Sequence, residues 1–133
     1  MKHLLLATAV FEAGAGLFLL GAPSAFARLL FGVPLDSAAA LTVARIGGTG
    51  LLSLGVAAWF ASFDTGCCAG RGLVRAMVLY NLGAAILLGA ATTQPASSAP
   101  VLWSGAGLHT AMAAWCSALL FRKSTINQTI SIP

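Results

Sequence analysis

A chain of 133 residues with 59% hydrophobic and only 8% charged residues is too apolar for a water-soluble domain. It has too few charged side chains to cover the surface around a core of that size. The formal net charge of +4 comes from basic residues that stand singly among apolar segments, which excludes the basic patch expected of a nucleic-acid-binding protein.

Four apolar segments each approach the roughly 20 residues that a transmembrane helix needs. They cover residues 4–21, 38–60, 73–91 and 101–121. We therefore predict an all-α fold, an integral membrane four-helix up-and-down bundle that forms a single domain over residues 1–121. A cytoplasmic tail over residues 122–133 is expected to follow.

The first segment also has features of a secretory signal. A basic start precedes it, and Ala25-Phe26-Ala27 follows it as a small-residue cleavage site. Glu12 in the middle of the apolar run, and the length of that run, favour an uncleaved transmembrane helix instead. Cleavage would leave three spans.

Residues 23–35 connect the first two spans and alternate apolar side chains with Arg28. This pattern predicts a short amphipathic helix that lies in the membrane interface and ends at Pro34. Asp36 and Ser37 then provide caps for the start of the second span.

Lysine and arginine residues gather on one side of the four-span arrangement. That side holds Lys2, Arg71, Arg75, Arg122 and Lys123, whereas Arg28 lies on the other. Basic residues collect on the cytoplasmic side of membrane proteins, so both termini are expected to be cytoplasmic.

Each predicted span contains one residue that is unfavourable in hydrocarbon, namely Glu12, Arg45, Asn81 and His109. A charged side chain at the bilayer centre costs about 2.5–3.5 kcal/mol on insertion scales, so we expect these groups to meet inside the bundle. Glu12 and Arg45 are the natural ion pair, although their depths differ by about 10 Å at 1.5 Å per residue. Tyr80, beside Asn81, adds a hydroxyl to the site. The cluster is interpreted either as a structural network or as a binding pocket.

A weak internal repeat links the two halves of the chain. Residues 11–19 align without a gap with residues 80–88, which places Glu12 over Asn81. The second and fourth spans then correspond in the same way, with Arg45 over His109. Because the first and third spans run in the same direction, the alignment suggests a duplicated helical hairpin, although so biased a composition also produces chance matches.

Glycine and alanine recur at helical spacing, as in Ala44 with Gly48 and Ala85 with Gly89. Small residues let helix backbones approach closely in lipid, where the hydrophobic effect does not drive helices together. We therefore expect close helix pairs at these positions rather than a ligand-binding loop.

Neither a metal site nor a cofactor is predicted. Cys67 and Cys68 are adjacent in a loop expected to be cytoplasmic, and Cys116 lies in the fourth span. His3 and His109 are distant in the chain, and the sequence has no Cys-x-x-Cys pair. Haem or chlorin ligation by His109 alone is the weaker interpretation of that residue.

The first two predicted helices and their connection carry a set of residues typical of one family. These residues are Gly21-Ala22-Pro23, Phe26, Leu30, Phe31-Gly32, Asp36, Ala44-Arg45-Ile46-Gly47 and Leu54-Gly55. Here the chain resembles small four-helix bacterial membrane proteins of the broad DoxX-like group, many of which have no assigned activity. The resemblance implies a multi-pass bundle in the cell inner membrane and, for some relatives, an accessory role beside quinone-linked oxidoreductases.

Glu12 supports a second resemblance. A single carboxylate in the first of four short helices is similar to that of the small multidrug exporters, which exchange protons for lipophilic cations. The chain departs from that family in two features. Arg45 is able to neutralise Glu12, and residues 103–107, which resemble an exporter segment, lie in the fourth span instead of the third.

The candidate ligand-binding residues are therefore Glu12, Arg45, Asn81, His109 and Tyr80. We expect this site to bind a small lipophilic ligand such as a quinone, or the protein to pack in the lipid bilayer as an accessory subunit of a larger membrane complex or a homo-oligomer. One alternative is a membrane enzyme in which Glu12 or His109 transfers a proton on a lipid-soluble substrate held by Arg45. A proton-coupled exporter is the other alternative.

Overall fold

The computed structural model describes residues 1–93 and 99–129, with side chains at residues 1–93 and 100–121. These residues form five α-helices, and none of them lies in a β-strand. The helices are α1 (Lys2–Gly21), α2 (Pro23–Phe31), α3 (Ala38–Ala61), α4 (Cys68–Ala91) and α5 (Ala99–Thr129). The prediction of an all-α protein is confirmed over this part of the chain.

Three of the helices, α1, α3 and α4, are long and apolar enough to cross a membrane. Their outer surfaces fit lipid, since large apolar side chains such as Val43, Phe60 and Leu79 are 68%, 68% and 76% exposed. Within the described residues, α5 does not reach the same hydropathy, because Ser104, His109 and other polar residues interrupt it. The length and composition of three helices thus indicate a membrane protein, and the fourth span stays a prediction.

The start of α4 lies at Cys68, whereas the apolar pattern predicts residue 73. Cys67 caps the helix, because its Sγ accepts a hydrogen bond from the backbone N–H of Gly70 at 3.2 Å. The first turn contains Gly70 and Arg71 but no proline, so the helix begins before the continuous apolar segment does. Apart from the C-terminal end of α5, the other ends of the four long helices agree with the prediction within two residues.

The last helix, α5, runs beyond the predicted end of the fourth span at residue 121 and reaches Thr129. No glycine or proline occurs in residues 122–129 to stop it. The predicted tail therefore begins as a continuation of the helix, and residues 130–133 lie outside the described residues.

The short helix α2 confirms the predicted helix between the first two spans, but it ends before Pro34. Gly32 adopts a left-handed conformation with φ of 77°, and its N–H donates to the carbonyl of Arg28 at 3.0 Å. This glycine cap ends the helix at Phe31, three residues before Pro34. On its inner side, Phe26 of α2 packs edge-on against Phe18 of α1, with ring centroids 5.3 Å apart.

The long helices pair into two hairpins. α1 packs along α3, and α4 packs along α5, whereas contacts between the two pairs are far fewer. Each pair is antiparallel: later residues of α3 lie against earlier residues of α1, and Asn81 and Leu88 of α4 contact His109 and Gly105 of α5 in reverse order. The molecule is therefore two tight hairpins joined by looser contacts.

Glycine allows the close approach of α1 and α3. A Cβ atom on Gly16 would lie 2.7 Å from the carbonyl oxygen of Gly48, and one on Gly55 would lie 2.7 Å from the backbone nitrogen of Ala13. No larger residue fits these backbone contacts. The expectation of a close helix pair at Gly48 is thus confirmed, whereas the space around Gly89 is open within the described residues.

The buried apolar core lies at the end of the molecule where α1 begins, and it receives side chains from all four long helices. Its members are Leu4, Leu5, Ala9, Ala58, Val74, Met77, Met112 and Cys116. Beyond this core, toward α2, the hairpins separate and polar side chains appear between them.

Candidate functional site

Glu12 lies near the middle of α1 on the side that faces the second hairpin, and only 6% of its surface is exposed. The hydroxyl of Tyr80 on α4 donates a hydrogen bond to Glu12 Oε2 at 3.1 Å. A buried carboxyl group needs such a donor to offset its loss of water. This bond joins residues 68 positions apart in the chain and links the two hairpins.

Asn81 and His109 form the second polar contact, within the second hairpin. Asn81 is 1% exposed, and its Nδ2 donates to the carbonyl oxygen of Met77 at 2.8 Å. Its Oδ1 lies 2.8 Å from Nδ1 of His109 on α5. Asn81 thus orients the imidazole of His109 through Nδ1. His109 itself is only partly buried.

The rings of Tyr80 and His109 connect these two contacts. They meet edge to face, with centroids 5.7 Å apart and an interplanar angle of 82°. Glu12, Tyr80, His109 and Asn81 therefore form one continuous chain of contacts across α1, α4 and α5. Four of the five residues that the sequence nominates are brought together in this polar chain.

Arg45 lies outside the polar chain. Its side chain is exposed, and among the described residues it forms no ion pair, so the expected pair with Glu12 is absent. Gly48 packs against Gly16 and Leu20, which places Arg45 level with the last turn of α1. Glu12 is eight residues before Leu20, about 12 Å deeper along the helix at 1.5 Å per residue. The glycine contacts fix this offset, and the arginine does not reach across it.

A cavity of about 340 Å³ opens between the two hairpins beside the polar chain. Its polar groups are Glu12, Tyr80 and His109, and the rest of its wall is apolar. The apolar wall includes Phe11, Ala15, Phe26, Leu30, Leu51, Ala84, Leu87, Leu88 and Leu108. All five helices contribute, so the cavity exists only in the assembled fold.

Helix α2 supplies a wall that the sequence did not predict. Phe26 and Leu30, one helical turn apart, line the cavity from the end opposite the core. Ser24 Oγ donates to the carbonyl oxygen of Leu35 at 3.1 Å and ties α2 to the segment that leads into α3. The amphipathic pattern predicts an interfacial helix, but it contains no signal that this helix covers a site.

Thr8 is a further polar residue that sequence reasoning missed. It lies one turn before Glu12 on α1 and is 1% exposed. Its hydroxyl is the buried side-chain group that finds no hydrogen-bond partner within the described part of the chain. Polar character on this face of α1 thus extends from Glu12 toward the core.

No protein-family model matches this chain, and neither a curated protein nor a solved structure is significantly similar to it. The resemblances to the DoxX-like group and to the small multidrug exporters therefore rest on the residues that carry them. The cavity and its polar chain are the features of the structure that bear on function.

Proposed function

We propose that this protein binds a small lipophilic molecule in the cavity between its two hairpins, with the polar end of the ligand against Glu12, Tyr80 and His109. The observation that carries the proposal is the combination of an apolar wall with three convergent polar side chains. Ligand sites have this composition: a mostly apolar cleft with a few placed polar groups that orient the ligand. At about 340 Å³ the cavity falls at the small end of the usual range of about 300–1,000 Å³.

The proposal includes a setting in the cell inner membrane. α5 pairs along α4, so a membrane that α4 crosses has to accommodate α5 as a fourth span. Lys2, Arg71 and Arg75 lie at the end of the molecule that holds the core, and by the preference of basic residues for the cytoplasmic side both termini are cytoplasmic. The cavity then lies toward the outer leaflet, where α2 rests in the interface.

Mass spectrometry of organic extracts from the purified protein tests the proposal. Ala84 lines the cavity, so Ala84→Phe is expected to fill it and to remove a co-purified lipophile. Ala57→Phe is the matched control, because Ala57 is on the exposed side of α3 and its replacement leaves the cavity open. Equal retention by both variants would contradict binding at this site.

Proton-transfer chemistry on a lipid-soluble substrate is a second candidate function. A carboxyl group, a phenol and an imidazole line one cavity, and Tyr80 already donates to Glu12. These are the groups that act in general acid–base catalysis. An enzyme would convert its ligand, so the extract of the wild type would contain a product that Glu12→Gln does not form.

An accessory role beside a larger membrane complex, or in a homo-oligomer, is the third candidate. In such a complex the exposed apolar faces of the helices would pack against the partner in place of lipid. Co-purification of a stoichiometric partner that is lost when Val43 or Leu79 is changed to Trp would favour this role over ligand binding.

A further inference from the structure

We infer that the ligand in this cavity is an uncharged lipophile that carries a hydroxyl group, and that this hydroxyl donates its hydrogen bond to Nε2 of His109. The inference rests on the proposed function and names the chemical class of its ligand. It follows from the direction of the hydrogen bonds that link the Met77 carbonyl, the Asn81 side chain and Nδ1 of His109.

The direction of these bonds starts at the backbone of α4. The carbonyl oxygen of Met77 only accepts hydrogen bonds, so the group of Asn81 that lies 2.8 Å from it is the amide NH₂. The other end of the side chain, Oδ1, is then an acceptor as well. Because Oδ1 lies 2.8 Å from Nδ1 of His109, that ring nitrogen must carry a proton and donate it.

A neutral imidazole with its proton on Nδ1 has a bare lone pair on Nε2. His109 lines the cavity, and among the described residues no group donates a hydrogen bond to Nε2. An acceptor left without a donor in an apolar setting is unfavourable. Within the described residues this acceptor is unmatched, so a ligand that donates a hydrogen bond would satisfy it.

The other polar groups narrow the class of donor. Tyr80 gives its only proton to Glu12, so it is not available as a donor to Nε2. A ligand hydroxyl donates to Nε2 with its proton, while its oxygen remains an acceptor toward the carboxyl group of Glu12 when that group is protonated. A ketone, ether or ester has no proton for Nε2. An ammonium group would bring a positive charge against a wall that is mostly hydrocarbon, which costs more than the entry of an uncharged hydroxyl.

The size of the cavity limits the rest of the ligand. A volume of about 340 Å³ is close to the lower bound of about 300 Å³ for ligand sites, which suits a single ring with a short alkyl chain. A two-chain phospholipid exceeds this volume. Lipophilic phenols and small alcohols are therefore the class that fits.

The protonation of His109 is measurable without any ligand. In the His3→Gln background His109 is the single histidine, and the ¹⁵N spectrum of its labelled imidazole distinguishes a protonated from a bare ring nitrogen. We expect a protonated Nδ1 and a bare Nε2 in the ligand-free protein. A proton on Nε2, alone or together with one on Nδ1, would overturn the inference.

A matched pair of probes tests the ligand class. 4-Hexylphenol and 4-hexylanisole differ in that the methyl ether has no proton to donate. Titration calorimetry on the full chain in lipid nanodiscs should show the phenol binding roughly 3- to 10-fold more tightly, the range expected for one hydrogen bond. His109→Phe should bring this ratio close to one, whereas His3→Phe, at an exposed position, should leave it unchanged.

Each outcome of the titration has a distinct meaning. Equal affinities for the two probes in the wild type would overturn the hydroxyl inference and leave the cavity as a binding site. Absence of binding for both probes would overturn the proposed function itself. Because both results come from the wild type, they do not depend on how well the variants fold.

Discussion

Among single residues, Tyr80 has a clear energetic role, because its hydroxyl group lowers the free-energy cost of burying the Glu12 carboxyl group. Glu12 is almost fully buried between helices, and Tyr80 is the one side chain in the described structure that donates to it. Burial of a carboxyl group without a hydrogen bond is strongly unfavourable. The same contact joins the two hairpins, so it bears on both the stability of the fold and the shape of the cavity.

Removal of the Tyr80 hydroxyl is expected to destabilise the protein. Tyr80→Phe keeps the ring against His109 but leaves Glu12 Oε2 without its donor, which should lower the free energy of unfolding by about 1–3 kcal/mol. Reversible unfolding in mixed micelles measures the change. In a Glu12→Leu background the same substitution should have little effect, and a loss of equal size there would show that the hydrogen bond is not its cause.

The orphan hydroxyl of Thr8 leads to a prediction of opposite sign. Thr8→Val keeps the shape of the side chain and removes a buried polar group that has no partner among the described residues. This change should raise the free energy of unfolding by about 1 kcal/mol. The matched control is Thr42→Val, an exposed site on α3 whose hydroxyl donates to the carbonyl of Ala38 at 2.9 Å. Destabilisation by Thr8→Val would mean that the hydroxyl has a partner that the structure does not contain.

The sequence identified most residues of the polar chain but not their pairing. Glu12, Asn81 and His109 stand out because a polar residue in an apolar span is unfavourable unless it faces the interior. Arg45 meets the same criterion, yet it lies two turns from the start of α3 with its side chain exposed, and a long arginine side chain at that depth can extend toward the interface. Pairing depends on the offset between helices, and backbone packing sets that offset.

At the scale of helices, the contact between α1 and α3 depends on glycine at the crossing. Gly16 and Gly48 bring the two backbones together. Two turns after Gly48 on α3, Gly55 does the same against the backbone of Ala13. Helices in lipid associate through close packing of this kind, since burial of apolar surface gives no preference there. The small-residue spacing in the sequence predicted Gly48 correctly but did not identify its partner, because glycines occur on every face of these helices.

Two glycine-to-alanine substitutions on α1 should have opposite effects. Gly16→Ala places a Cβ within 2.7 Å of the Gly48 carbonyl oxygen, so α1 and α3 must separate, at a cost of about 1–3 kcal/mol. Gly14→Ala meets open space and should stabilise the helix by up to about 1 kcal/mol. Thermal unfolding of both variants tests the prediction. Equal effects at the two positions would contradict the close crossing.

The hairpin arrangement agrees with the duplication suggested by the weak repeat, with a difference in its polar residues. Each half of the chain forms one tight antiparallel hairpin, α1 with α3 and α4 with α5. In the second hairpin Asn81 contacts His109, whereas the corresponding Glu12 and Arg45 do not meet. Glu12 instead accepts a hydrogen bond from Tyr80 of the other hairpin. The polar chain therefore lies between the hairpins, where it lines the cavity.

For the molecule as a whole, composition and segment length were enough to predict an all-α protein with several helices long and apolar enough to cross a membrane. The cavity could not be predicted in this way. In a water-soluble protein the apolar face of a helix marks its inward side, but helices in lipid are apolar on all sides, so periodicity does not show which way they face. The position of α2 over the cavity depends on contacts with α1, α5 and α3 that no local pattern encodes.

The whole molecule also divides into a packed end and an open end. Side chains of all four long helices fill the core near the start of α1, and toward α2 the hairpins part around the cavity. The packed end holds the hairpins together, so the open end is able to leave space for a ligand without loss of the fold. Binding is therefore expected to change the surroundings of Tyr80 and His109 and to leave the core near Leu5 and Met112 unaffected.

Contact between a bound probe and Tyr80 tests binding in the cavity directly, because Tyr80 is the single tyrosine of the chain and lines the cavity. Tyrosine-specific labelling gives one ring signal, and nuclear Overhauser effects between that ring and 4-hexylphenol report whether the ligand enters between the hairpins. We predict direct contacts between the probe ring and the Tyr80 ring in the wild type, lost in Ala84→Phe and kept in Ala57→Phe. Binding of the probe with no contact between its ring and the Tyr80 ring would contradict a binding site in this cavity.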